Sequence, residues 1–167
     1  MYCRYMEAIE CIMTRRSVRR YKDEPVKDLR TMLKCACLAP SGHNRQPWEF
    51  FVTENREKLE KLSEVCTNGK FLKRAYCCIV VTGDTSVTDH VVEDCSAATE
   101  NILLAAHALG YGGCWIAGWS RSYERDVFEI MGIEENLRLV SLVALGVPED
   151  TTPKIKKTRE GCIHFVD

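Results

Sequence analysis

An α+β fold, with helices flanking a mixed central β-sheet, is what this chain predicts, and three observations carry the prediction. Its 167 residues, 46% apolar and 28% charged, suit one ordinary folded domain and lie far from the composition of disorder. The run Ala75-Tyr-Cys-Cys-Ile-Val-Val-Thr82 is β-branched and continuously apolar, the pattern of a strand buried on both faces, and Leu137 to Leu145 is the most hydrophobic strand. Segments of helical period alternate with the strands in the order helix, helix, strand, helix, strand, helix, strand, so both faces of the sheet can be covered.

The elements follow in order. Tyr5, Met6, Ile9 and Met13 fall at helical spacing, and that first helix stops in the cluster Arg15-Arg-Ser-Val-Arg-Arg20. Asp23, Glu24 and Pro25 open a second helix, which carries Leu29, Met32, Leu33 and Ala36 on one face and ends before Pro40. The segment Pro40-Ser-Gly-His-Asn-Arg-Gln-Pro47 is a loop of turn formers leading into the strand Trp48-Glu-Phe-Phe-Val-Thr53. Leu59, Leu62 and Val65 mark a short helix. A long amphipathic helix, Val91 to Leu109, turns Val92, Cys95, Thr99, Ile102, Ala105, Ala106 and Leu109 toward a packing surface and finishes at Gly110, a fitting C-cap. Gly112-Gly-Cys-Trp-Ile-Ala-Gly118 reads as a Gly-rich loop, and Val127 with Ile130 as a minor helix. After Val147 the tail is too poor in apolar residues for a core of its own, and its end, Cys162-Ile-His-Phe-Val166, is expected to add a strand to a sheet edge. No repeat or linker divides the chain, so residues 1–167 form a single domain.

Composition excludes several functions. Lys and Arg number 23 against 24 acids, a net charge of -1, so the whole molecule has no field for gathering nucleic acid or anionic lipid. Ten cysteines would suit a disulfide scaffold only with an export signal, and Arg4, Glu7 and Glu10 interrupt the only segment that could be one. Reduced thiols in the cytoplasm are therefore expected. Cys35 and Cys37 are spaced C-x-C and Cys77 and Cys78 are adjacent, which supports no metal site. No apolar run has the roughly 20 residues of a membrane span.

Two basic clusters carry chemistry of their own: Arg15, Arg16 and Arg19 beside Ser17, and Lys154, Lys156, Lys157 and Arg159 beside Thr158. Each alone also reads as a solvated face or as arginines closing a helix end. Together they suit a terminal phosphate, which guanidinium forks and hydroxyls hold well. The loop Pro40 to Pro47 packs Ser41, His43, Asn44, Arg45 and Gln46 between two prolines and can read the edge of a heteroaromatic ring, although a polar turn with an exposed histidine explains it equally. The glycines of 112–118 form a tight turn or let backbone N–H groups approach a ligand. The hydrolase elbow, the dinucleotide G-x-G-x-x-G and the phosphate-cradling G-x-x-x-x-G-K-[ST] are all missing.

The combination Arg15-Arg-Ser-Val-Arg19, Ala39-Pro-Ser-Gly-His-Asn-Arg-Gln-Pro-Trp48, Ala105-Ala-His-Ala-Leu-Gly110 with Cys114-Trp-Ile-Ala-Gly118, and Lys157-Thr-Arg159 resembles the FMN-dependent nitroreductase family, in order and along essentially the whole chain. The resemblance implies a homodimer with FMN at its interface and the C-terminal tail exchanged between subunits. It implies that Arg15, Arg16, Ser17, Arg19, Lys157 and Arg159 bind the FMN phosphate. Pro40, Ser41, Asn44 and Gln46 would lie along the flavin ring, with His43 where the substrate face begins. Lys70 would stand near the pyrimidine end, and the backbone of Ala117 and Gly118 at the reactive edge. Electrons would pass from NAD(P)H through FMN to a small acceptor such as a nitroaromatic or quinone, by a ping-pong scheme that needs no acid–base dyad. The alternatives are a non-catalytic FMN-binding or flavin-handling protein and a specialised flavin reductase or dehalogenase. Between Thr82 and Val91 only Gly83 to His90 remain of a longer segment in the family, and Ala117 replaces a frequent acidic residue.

Overall fold

A computed structural model describes residues 6–134, 136–152, 156, 158–159 and 161–166. The sheet is organised on β5, Arg138–Pro148, which pairs antiparallel with β3 (Cys77–Gly83), with β4 (Gly112–Ala117) and, at its C-terminal end, with the short β1 (Tyr21–Lys22). Strand β2, Trp48–Thr53, pairs antiparallel with β3 and forms an edge. All the ladders are antiparallel, and the parallel component is the isolated bridge between Ser17 and Gly113.

Alternation along the strands sorts the core into two layers. Ile79, Val81, Val143 and Leu145 pack on one face beneath α2 (Leu29–Cys37) and α4 (Val91–Ala108). Cys78, Val80, Leu142 and Ala144 pack on the other beneath α3 (Arg56–Val65) and α5 (Glu124–Met131). Every residue of β3 is buried, as its unbroken apolar run requires. The buried hydroxyls of Thr99 and Ser141 satisfy each other at 2.8 Å and tie α4 to β5.

Several elements depart from expectation. The segment 112–118 holds a strand where a loop was expected, because its glycines serve packing. A Cβ on Gly112 would come within 2.7 Å of Val18, and one on Gly113 within 2.8 Å of Leu103. Helix α2 starts at Leu29 and not at Pro25: Tyr21 and Lys22 are spent on β1, Asp23 pairs with Arg56 at 3.3 Å, and Asp28 takes the N-cap position. In α1 (Ala8–Thr14) only Cys11 is buried, while Ile9, Ile12 and Met13 are 69%, 58% and 68% exposed, so the expected apolar stripe meets no core. Tyr5 lies outside the described residues. Residues 162–166 join no strand of their own chain, and Ile163, Phe165 and Val166 are exposed.

Candidate active site

The basic segment after α1 is extended and crosses the start of β4, where the Val18 N–H donates to the Gly113 carbonyl at 3.0 Å. Arg15, half-buried, pairs with Glu100 at 3.4 Å. Ser17 and Arg19 reach the thiol of Cys114, and the Arg19 guanidinium lies 5.7 Å above the ring of Phe71, the neighbour of Lys70. Lys70 is exposed and donates to the Glu64 carbonyl. Arg16 spends its Nη1 on the carbonyls of Met13 and Arg15, which makes it a closing residue of α1 before it is a ligand. Arg16, Ser17, Arg19 and Arg20 wall a cavity of about 960 Å³ that also meets His107 and residues 148–152, where the tail departs. Burial, then the Arg15 and Arg16 charges, hold His107 below its ordinary pKa. Among the tail residues, Arg159 is exposed, whereas Lys154 and Lys157 lie outside the described residues.

The end of β4 divides the two residues expected at a reactive edge. The Gly118 N–H donates to the Val140 carbonyl at 2.9 Å, while the Gly113 carbonyl faces the other way, toward Val18. Because main-chain groups alternate sides along a strand, Ala117 shares the outward parity of Gly113, and its carbonyl accepts from the Tyr123 hydroxyl. Ala117 is exposed and Gly118 is buried. A Cβ on Gly118 would stand 2.5 Å from Leu139, so this glycine answers its own sheet and its amide is already used. Of the two, only Ala117 turns its main-chain groups away from β5.

The loop Pro40 to Pro47 stands elsewhere. Its Gly42 N–H donates to Asp94 at the head of α4, its Arg45 donates to the Val87 carbonyl at 2.7 Å, and Pro47 accepts from the Asp84 N–H. The Ser41 hydroxyl accepts from the Gln46 N–H, and the Gln46 amide donates to Asn44 at 2.9 Å. His43, Asn44 and Gln46 have φ of 52°, 56° and 49°, a left-handed backbone that side-chain-bearing residues rarely hold. These side chains project to solvent. What the sequence could not show is the bracing of this loop by Asp94 and by the short 84–90 connection. Asp94 carried no signal beyond being an acid on the predicted helix.

The candidate residues thus fall into two groups. Arg15, Ser17, Arg19, Lys70 and Ala117 cluster around the outer side of β4. Pro40, Ser41, His43, Asn44 and Gln46 cluster beyond β2. With β5 and β3 between them, β4 and β2 are three strand spacings apart, about 14 Å.

Nine cysteines are free among the described residues, and no group of three or more His, Cys, Asp or Glu could hold a metal. Burial pushes the Cys66, Cys77 and Cys95 thiols up from 9.0 to about 12. A raised folded-state pKa contributes stability that is complete below the unfolded value near 9 and is lost as pH rises toward 12. Iodoacetamide on the native protein is accordingly expected to label the exposed Cys37 at once and to spare Cys66, Cys77 and Cys95 until the chain unfolds. Mass spectrometry reads the sites, and fast labelling of Cys77 in folded protein contradicts the burial.

Fold and residues define a class: an α+β protein whose cationic, hydroxyl-bearing segment suits a phosphate and whose polar loop suits an aromatic ring. The family model for the Nitroreductase family matches residues 12–70 and 64–147. A protein of Archaeoglobus fulgidus with the provisional name NADH dehydrogenase/NAD(P)H nitroreductase is 45% identical over 151 residues, covering 86% of this chain and 87% of the relative. The solved FMN-dependent nitroreductase of Clostridium difficile R20291 has a TM-score of 0.89 at 33% identity, covering 95% of this chain and 99% of that one. An iodotyrosine deiodinase of Thermotoga neapolitana is 28% identical over 167 residues, covering 84% of this chain and 88% of the relative. The chain belongs to the nitroreductase family and is an oxidoreductase.

Proposed function

We propose that two copies of this chain hold FMN in sites built from both protomers and pass electrons from NAD(P)H to a small oxidised acceptor such as a nitroaromatic or a quinone. The observation that carries this reading is the division of the candidate residues. One chain has a phosphate-suited group beside β4 and a ring-suited loop at β2, with β5 and β3 between the two strands, and a second copy would bring the complementary group to each site. The exposed apolar residues Ile9, Ile12 and Met13 on α1 give the pair a surface to bury, and Ala105 on α4 is half-buried. Ala98 and Ala106 of the same helix are fully buried in their own core and give that surface nothing.

The donor set fits FMN. Arg15, Ser17 and Arg19, with Lys157 and Arg159 from the tail, would hold the phosphate, and Lys70 would meet the pyrimidine edge. Ser41, Asn44 and Gln46 of the partner, following Pro40, would line the ring, with His43 beside the substrate. The outward Ala117 N–H would donate a hydrogen bond at the reactive edge without any side-chain acid. When bound, FMN would supply the redox chemistry between the reduced nicotinamide and the acceptor, so one site would serve both substrates in turn. The tail, with Ile163, Phe165 and Val166 uncovered, would cross to the partner and cover a sheet edge such as β2. Free thiols suit the cytoplasm, and no helix among the described residues is long and apolar enough to cross a membrane.

Similarity to a deiodinase favours a second reading, reductive dehalogenation at the same site. The test is the purified protein's visible spectrum, the flavin released on denaturation, and NAD(P)H oxidation with a quinone, a nitroarene or iodotyrosine. A yellow protein that releases FMN and turns over the quinone or nitroarene is expected. Turnover of iodotyrosine alone favours the second reading, FMN without turnover favours a flavin-handling protein, and a preparation colourless even after incubation with FMN overturns them all.

A further inference from the structure

Asp94 is a buried carboxylate, 6% exposed, with no Lys, Arg or His within ion-pair distance among the described residues. A buried charge without a counter-ion is costly unless hydrogen bonds and dipoles replace water. Two features do so here. Asp94 lies in the first turn of α4, where the helix dipole favours an anion. Both its carboxylate oxygens also accept from the Gly42 N–H, at 3.1 and 3.3 Å, across 52 residues of chain.

The segment so gripped is a loop whose backbone needs holding. Its left-handed residues His43, Asn44 and Gln46 follow directly on Gly42. Arg45 on the Val87 carbonyl and the Asp84 N–H on Pro47 fix its far end, whereas Asp94 fixes the near end. Close approach is possible because Gly42 has no side chain: a Cβ there would stand 3.1 Å from the His90 ring.

We infer that Asp94 is a positioning residue for flavin binding, its carboxylate holding the Gly42 amide so that Asn44 and Gln46 meet the FMN ring in a fixed orientation. This rests on the proposed function for its ligand, but not for the grip itself. Three measurements on the full-length protein test it, using Asp94→Ala and Asp94→Asn. FMN titration is expected to give a dissociation constant roughly tenfold or more higher for Asp94→Ala, the loss of one charge-assisted hydrogen bond. The visible circular dichroism of the bound flavin is expected to change in the same variant. Amide exchange is expected to accelerate across residues 42–46 while β3 and β5 stay protected. Asp94→Asn keeps an oxygen for the Gly42 N–H and is expected to recover most of the affinity and the parental dichroism.

Parental affinity and dichroism in Asp94→Ala overturn the inference. So does a variant whose β3 and β5 lose protection together with the loop and which asparagine does not rescue, because that is a purely structural role. If the parent binds no FMN, the proposed function falls, and unchanged exchange at residues 42–46 in Asp94→Ala independently overturns the grip.

Discussion

Replacing Arg15 or Arg19 with alanine is expected to raise the FMN dissociation constant roughly ten- to a hundredfold, because a charge-assisted hydrogen bond to phosphate contributes about 1.5–3 kcal/mol. The melting temperature of the FMN-free protein is expected to change little. Arg15 loses only a partly exposed pairing with Glu100, and such pairs contribute about 0–1 kcal/mol. Arg19 lies exposed above Phe71. Arg16→Ala is expected to show the opposite balance, since its guanidinium closes α1 through the Met13 and Arg15 carbonyls. Flavin fluorescence titration beside thermal melts separates the two effects. Unchanged affinity in both Arg15→Ala and Arg19→Ala would reduce the cluster to a solvated face.

Gly118→Ala is expected to lower stability by about 1–3 kcal/mol, a melting shift of roughly 2–10 °C, through overpacking. The added carbon has nowhere to go, with Leu139 Cγ at 2.5 Å and the Val140 carbonyl carbon at 2.9 Å. Ala117→Ser, one residue earlier on an exposed position, is expected to melt as the parent does. If Gly118→Ala melts normally and loses FMN, the glycine serves the ligand and its packing role is wrong.

These two substitutions mark the limits of what the sequence reveals. The strands at 75–82 and 137–145 are readable because burial on both faces leaves no choice but continuous apolar residues. Helix α4 is readable from its length and from Gly110, which has φ of 85° after the last turn. Strand β4 is not readable, since Gly112, Gly113 and Gly118 look like turn residues until Val18, Leu103 and Leu139 are seen pressed against them. The start of α2 misleads for a related reason: Asp23 and Pro25 carry helix-start chemistry, but an ion pair with Arg56 and the pairing of β1 take that segment first. Individual site residues are legible through motif order, whereas their separation into two groups is a property of strand order, β2 lying beyond β3 and β5 from β4. The exposed stripe of α1 shows the same limit, because spacing reveals that Ile9 and Met13 share a face and not whose core they meet.

The separation of the two groups makes the shared site testable by complementation. Arg19→Ala disables the phosphate group and Asn44→Ala the ring group, so homodimers of either variant have no intact site. After subunit exchange in an equal mixture, each mixed dimer joins the unaltered Arg19 side of one protomer to the unaltered Asn44 loop of the other. Recovery of parental-affinity FMN binding in about a quarter of the sites is the expected result, half the dimers being mixed and each having one of its two sites restored. A mixture that exchanges subunits and binds no more FMN than the separate variants would contradict a site shared between protomers.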